Sequence, residues 1–254
     1  MRKPRWPYVL FDLDGTLADT IGLIVASHEY AFDAVLGRQL PRETYLSWIG
    51  LPLTECYVEE FPQQSRELEA RYLEFNEANA EAMTKPFPGV KALLKDLRAA
   101  GARAGVATSK RRAASETSLR VVGIDGLVEL AATAESTRFH KPRPEPLLAA
   151  ARWLGADPSE MVYVGDSVFD AQAARAAAMD CLLVTYGAGE ADELAAERPL
   201  ALLDDAAGLR AALLGADLPG DAPQTRGFES GVEEGLPQAA RADRRERAEA
   251  GAGE

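Results

Sequence analysis

Positive charge is in short supply in this chain. Its 28 Lys and Arg face 40 Asp and Glu, for a formal net charge of -12. Clustered Lys and Arg are what hold a phosphate backbone, so the balance argues against nucleic acid as a partner. Long apolar runs are also missing. None reaches the ~18 residues of a membrane span, so no membrane partner is expected. After the basic start Met1-Arg2-Lys3-Pro4-Arg5, the apolar stretch Tyr8 to Phe11 meets Asp12 at once, too early for a secretory leader. Cysteine is nearly absent. Cys56 and Cys181 lie far apart with no metal-type spacing and read as small hydrophobes in a reducing compartment, which makes a cytoplasmic protein the expectation.

What remains is ordinary globular material. A hydrophobic content of 47% in 254 residues suffices for one large domain, or one domain with an insertion. The acidic balance adds a constraint. An anionic substrate is repelled by the molecule as a whole, so any phosphate site must bring its own positive field from lysines, a metal or backbone N–H groups.

The most telling stretch is Tyr8-Val9-Leu10-Phe11-Asp12-Leu13-Asp14-Gly15-Thr16-Leu17. A short apolar strand carries two carboxylates, two positions apart, into a glycine turn. Residues two apart on a strand share a face, so both acids can address one site. Like charges held that close repel and lose hydration, an arrangement tolerated when a cation lies between them or one acid keeps a proton.

Downstream, Ile21, Ile24, Val25, His28, Phe32, Val35 and Leu36 recur at helical spacing, and Gly37 is placed to end that helix. A second helical region follows Pro41 and includes Trp48 and Ile49. A third follows Ser65, read as its N-cap. Strand and helix patterns then alternate from Val90 to Thr185. Alternation of this kind implies parallel pairing, and the short, almost wholly apolar strands imply helices on both faces. The expected fold is α/β, an open parallel sheet in a three-layer sandwich. Its parts are a core of residues 1–19 and 85–215, an inserted helical unit over 20–84, and a disordered tail over 216–254. In that tail the large apolar residues are reduced to Leu218, Phe228, Val232 and Leu236.

Ligands of open α/β sheets bind beyond the carboxyl ends of the strands. Those ends carry Asp12, Asp14 and Thr16; Thr108-Ser109-Lys110; Lys141 in a Lys-Pro-x-Pro-x-Pro run; and Gly165-Asp166-Ser167 with Asp170. The set, in this order, resembles the haloacid dehalogenase superfamily of aspartate-dependent phosphohydrolases. The insertion resembles the helical cap of its phosphoglycolate phosphatase-like branch, and Ile49-Gly50-Leu51-Pro52-Leu53 and Phe75-Asn76 are similar to bacterial pyrophosphatases of that branch. The resemblance implies a Rossmann-like core and a Mg²⁺ cofactor. It implies Asp12 as nucleophile, Asp14 as general acid and base, and Lys141 as the group that neutralises the nucleophile and the phosphoryl group. Metal ligation falls to Asp12, the backbone carbonyl of Asp14, and Asp166, with Asp170 acting through water or by orienting Asp166. Thr16, Thr108, Ser109, Lys110 and Gly50 are the expected substrate contacts.

The implied activity is hydrolysis of a small phosphorylated metabolite by a monomer or homodimer. The first substrate expected is 2-phosphoglycolate, and the alternative is inorganic pyrophosphate. A dehalogenase would dispense with Asp14 and Asp166. A phosphomutase would need cap groups that hold a bisphosphate, and none is identifiable here.

Overall fold

The computed structural model describes residues 4–215, and the segment read as a disordered tail lies outside them. The chain starts in β1 (Tyr8–Phe11) and β2 (Ala18–Asp19), then runs through α1 (Ile21–Leu36), α2 (Arg42–Ser47), α3 (Leu53–Val58) and α4 (Ser65–Met83). It returns through β3 (Lys85–Pro86), α5 (Val90–Ala99), β4 (Arg103–Ala107), α6 (Arg112–Val121) and β5 (Glu129–Ala132). The last part is α7 (Glu145–Leu154), β6 (Met161–Gly165), α8 (Val168–Ala176), β7 (Asp180–Val184), α9 (Ala191–Ala196), β8 (Ala201–Leu203) and α10 (Ala206–Leu213).

Six of the strands form one parallel sheet in the order β5-β4-β1-β6-β7-β8. The chain winds from β1 towards β5, then crosses back to β6 on the other side of β1. That reversal opens a crevice at the carboxyl end of β1. The two faces follow strand parity. Val9, Phe11, Val162 and Val164 meet α5 and α10, whereas Leu10, Met161 and Tyr163 meet α7 and α8. Both faces are therefore buried, as the unbroken apolar strands require.

Some elements differ from the sequence reading. Ser65 is the first residue of α4 rather than its cap, and its hydroxyl bonds back to the carbonyl of Pro62 at 3.1 Å. Helix α3 escaped notice because only Cys56 and Tyr57 are buried in its six residues, too few for a period. β2 and β3 pair antiparallel through two residues each and tie together the chain entering and leaving the helical insertion. Two-residue strands leave no alternation to read. No helix among the described residues is long and apolar enough to cross a membrane.

The insertion has its own core, and His28 sits at the middle of it. Its ring stacks on Tyr45 at 5.5 Å and meets Tyr72 at 4.7 Å and Trp48 at 5.2 Å, while Nδ1 lies 2.7 Å from the Tyr57 hydroxyl. Burial pushes its pKa down from 6.5 to about 3. Between those values the unfolded chain binds a proton that the folded chain refuses. The stability tied to His28 is thus intact above pH 6.5 and is lost as the pH falls towards 3. In urea titrations, the native chain should lose roughly 2–3 kcal/mol more than His28→Phe on going from about pH 7 to about pH 4.5. Parallel losses in the two proteins would refute this.

Candidate active site

Asp12 leaves β1 with its amide bonded to the Val164 carbonyl at 2.8 Å, so the first acid stands at the sheet's carboxyl edge between β4 and β6. The turn after it places Asp14 on the same side. Thr20 and Lys110 both donate to Asp14 Oδ1, at 2.6 and 2.7 Å. Lys110 comes from the loop after β4, so two strand ends meet at this carboxylate.

Lys141 is buried beneath Asp12. Its Nζ donates to Asp170 Oδ1 at 2.6 Å and to the Tyr163 hydroxyl at 3.2 Å, and stands 3.1 Å from Asp12 Oδ1. That last contact is a charge pair. Asp12 Oδ1 takes no hydrogen bond among the described residues. An ammonium group this deep persists only because carboxylates surround it. Asp12 and Asp170 hold the Lys141 pKa above its usual value against the opposing effect of burial.

Asp166, at the end of β6, accepts from Thr16 Oγ1 at 2.9 Å and from the Ala188 amide at 2.8 Å. Both oxygens of Asp170 are engaged. Oδ2 accepts from the amides of Asp166 and Ser167 and from the Ser167 hydroxyl at 2.7 Å, and Oδ1 from Lys141. Asp170 therefore props the Asp166 loop from behind and positions Lys141. One carboxylate oxygen from each of Asp12, Asp166 and Asp170 lies within 4.8 Å of the others. Burial pushes the Asp12 carboxyl up to about 7, with Lys141 opposing and the Asp170 and Asp14 charges adding to the rise. Burial and the charge of Asp170 also put Asp166 well above the usual carboxylate range.

Four buried carboxylates thus face two ammonium groups, so that full ionisation would leave two negative charges in excess among hard oxygen donors, a state that burial resists and a cation would favour. This composition fits a divalent hard cation such as Mg²⁺. Asp12 adds to the fit: its Oδ1 is buried without a hydrogen bond and has the Lys141 charge beside it, so the carboxylate's capacity is not filled by the protein.

The expected substrate contacts divide into two groups. Thr108, Ser109, Lys110 and Gly50 line a cavity of about 260 Å³ together with Asp12 and Asp14. Thr16 does not: it is fully buried and turned to Asp166, so it positions that carboxylate. Ser109 donates its hydroxyl to the Gly50 carbonyl at 2.7 Å, which joins the β4 loop to the helical insertion. Arg111, in the same loop, reaches across to Glu69 of α4.

Sequence reasoning missed the loop after β7. There Ala188 and Gly189 donate amides to Asp166, and a Cβ at Gly187 or Gly15 would overlap the Asp166 side chain. The available signal was Gly187-Ala188-Gly189 directly after an apolar strand.

Comparison with known proteins agrees with this geometry. The family model for haloacid dehalogenase-like hydrolases matches residues 9–184. A Bacillus velezensis protein named pyrophosphatase PpaX is 33% identical over 204 residues, 80% of this chain and 94% of its own length. The PpaX pyrophosphatase of Halalkalibacterium halodurans is 32% identical over 70% of this chain and 83% of its own. A Haemophilus somnus structure described as a predicted phosphoglycolate phosphatase superposes with a TM-score of 0.73 at 26% identity, covering 81% of this chain and 96% of its own.

Gly15 has φ +77° as well as no room for a Cβ, so Gly15→Ala should lower the melting temperature by about 5–10 °C. Gly22, in α1, is the control because a Cβ added there would meet nothing within 4 Å. Gly22→Ala should leave the temperature unchanged or raise it slightly. Equal thermal denaturation curves for the two variants would contradict the close approach at Asp166.

Proposed function

Because the chain belongs to the haloacid dehalogenase-like hydrolase family, we propose that it is a Mg²⁺-dependent phosphatase of small phosphorylated metabolites that works through an aspartyl-phosphate on Asp12. The observation that carries this reading is the placement of Lys141. Its ammonium contacts both Asp12 and Asp170 in a buried site that opens on a cavity holding Asp14, Thr108 and Lys110.

In the proposed reaction an Asp12 carboxylate oxygen attacks phosphorus. The P–O bond to the leaving group breaks, and the leaving oxygen takes a proton from Asp14. Ionised Asp14 then removes a proton from a water whose oxygen attacks the same phosphorus, releasing phosphate and restoring Asp12. Lys141 favours the ionised form of Asp12 against the effect of burial and offsets charge on the phosphoryl group, and Lys110 with the Thr108 hydroxyl receives the phosphoryl oxygens. Asp12, Asp166 and the backbone carbonyl of Asp14 are the residues that would hold Mg²⁺, whose charge would offset the phosphoryl oxygens when bound. Asp170 acts on Lys141 and Asp166 rather than on the ion.

Two substrates come with the relatives' names, 2-phosphoglycolate and inorganic pyrophosphate. A cavity of about 260 Å³ has room for either, and a cap closed over it would exclude polymers and phosphoproteins. The helical insertion is read as a cap that shuts the site from water, and the two separated cysteines support a cytoplasmic setting.

Asp12→Asn should reduce kcat roughly 10³-fold or more while the melting temperature holds or rises, because one of several mutually repelling buried carboxylates becomes neutral. Chelation by EDTA should silence the native enzyme, and added Mg²⁺ should restore it. Turnover that survives the substitution would dismiss Asp12 as nucleophile. Turnover indifferent to EDTA would dismiss the metal.

A further inference from the structure

The cavity has two unlike ends. Asp12, Asp14, Thr108, Ser109 and Lys110 crowd the end formed by the sheet. Arg111, Ala114, Ala134, Glu135 and His140 line its side from the segments that follow β4 and β5. The helical insertion supplies the far wall, and the insertion's residues on that wall include no Lys, Arg, Asp or Glu among those described. Ile24, Trp48, Leu51, Pro52, Leu53 and Leu73 give it an apolar surface.

Its polar groups are few and neutral. Tyr72 and Asn76 stand one helical turn apart on α4, so both face the cavity from the same side. Asn76 is 4% exposed and is steadied by its amide donating to Ser27 Oγ at 3.1 Å. His28 lines the same wall, and its burial among four aromatic rings keeps it uncharged at neutral pH. Of the Lys and Arg on the lining, Lys110 stands at the phosphoryl end beside Asp14, and Arg111 is drawn to Glu69 of α4.

Resting on the phosphatase reading above, we infer that the part of the substrate beyond the phosphoryl group is uncharged and largely apolar, with one neutral polar group met by Asn76 and Tyr72. The physical reason is desolvation. A carboxylate or second phosphate pressed against this wall sheds water and finds no cation in return, whereas a hydroxyl, amide or short alkyl group loses little.

The test compares substrates that differ in charge alone. 2-Phosphoglycolate and its amide, 2-phosphoglycolamide, have the same heavy-atom skeleton except for one oxygen replaced by nitrogen. The native full-length chain should show a kcat/KM at least about tenfold higher for the amide, and inorganic pyrophosphate should be poorer still. Leu73→Arg places a cation beside Asn76 and should shift the preference towards the carboxylate. Leu73→Gln, of similar polarity without charge, should keep the native order. A native enzyme that favours phosphoglycolate or pyrophosphate overturns the uncharged-substrate inference and leaves the phosphatase reading standing. Failure to hydrolyse any of the three, with Mg²⁺ present, together with a broader panel of phosphate esters, removes the phosphatase reading and this inference with it.

Discussion

A single buried ammonium group organises the centre of this protein. Lys141 lies between Asp12 at the end of β1 and Asp170 in the first turn of α8, and touches the Tyr163 hydroxyl on β6. The end of β1 and the distant β6–α8 segment are thus bound to one charge. The lysine could not be buried with no carboxylate beside it, since an uncompensated buried charge costs about 3–5 kcal/mol, and Asp170 still pairs with it when Asp12 is neutral. The same charge keeps Asp12 capable of ionising despite its burial. Fold and proposed chemistry therefore depend on a shared electrostatic balance in which carboxylates outnumber ammonium groups, an excess that suits a divalent cation.

Space is the second constraint. Asp166 is enclosed largely by backbone, with the Thr16 hydroxyl beside it. Gly15 approaches from the β1 turn and Gly187 from the loop after β7, each where a Cβ would strike the carboxylate, and amides of Ala188 and Gly189 point inward. At Gly165 the same closeness admits the Asp170 side chain. Glycine at these places allows oxygen donors and amide groups to converge more tightly than side chains would permit. Such precision suits a reaction whose rate comes chiefly from positioning and charge.

The helical insertion contributes a different chemistry. Its core of stacked aromatic rings around His28 is apolar and holds the histidine neutral, and that surface forms the far wall of the cavity. Its polar ties to the β4 loop include the bond from Ser109 to the Gly50 carbonyl and the ion pair of Arg111 with Glu69. The charged end of the cavity thus belongs to the sheet and the neutral, apolar end to the insertion.

Much of this was legible before any coordinates. The parity of Val9, Leu10 and Phe11, the alternation of strands with helices, and the acids at strand ends are local patterns, and local patterns survive in a linear string. Asp12, Asp14, Lys141 and Asp166 were legible for that reason. Thr16 shows the boundary. Its hydroxyl was read as a substrate contact, but the turn at Gly15 swings it towards Asp166, a partner 150 positions away. The engagement of both Asp170 oxygens, the inward amides of Ala188 and Gly189, and the neutral wall built by Tyr72 and Asn76 likewise arise from contacts between remote segments. Sequence by itself determined which reactive groups are present and which elements carry them, because periodicity and turn chemistry act over a few residues. Tertiary structure alone decided which of those groups face the cavity and which brace one another, because burial and charge pairing are properties of neighbours in space.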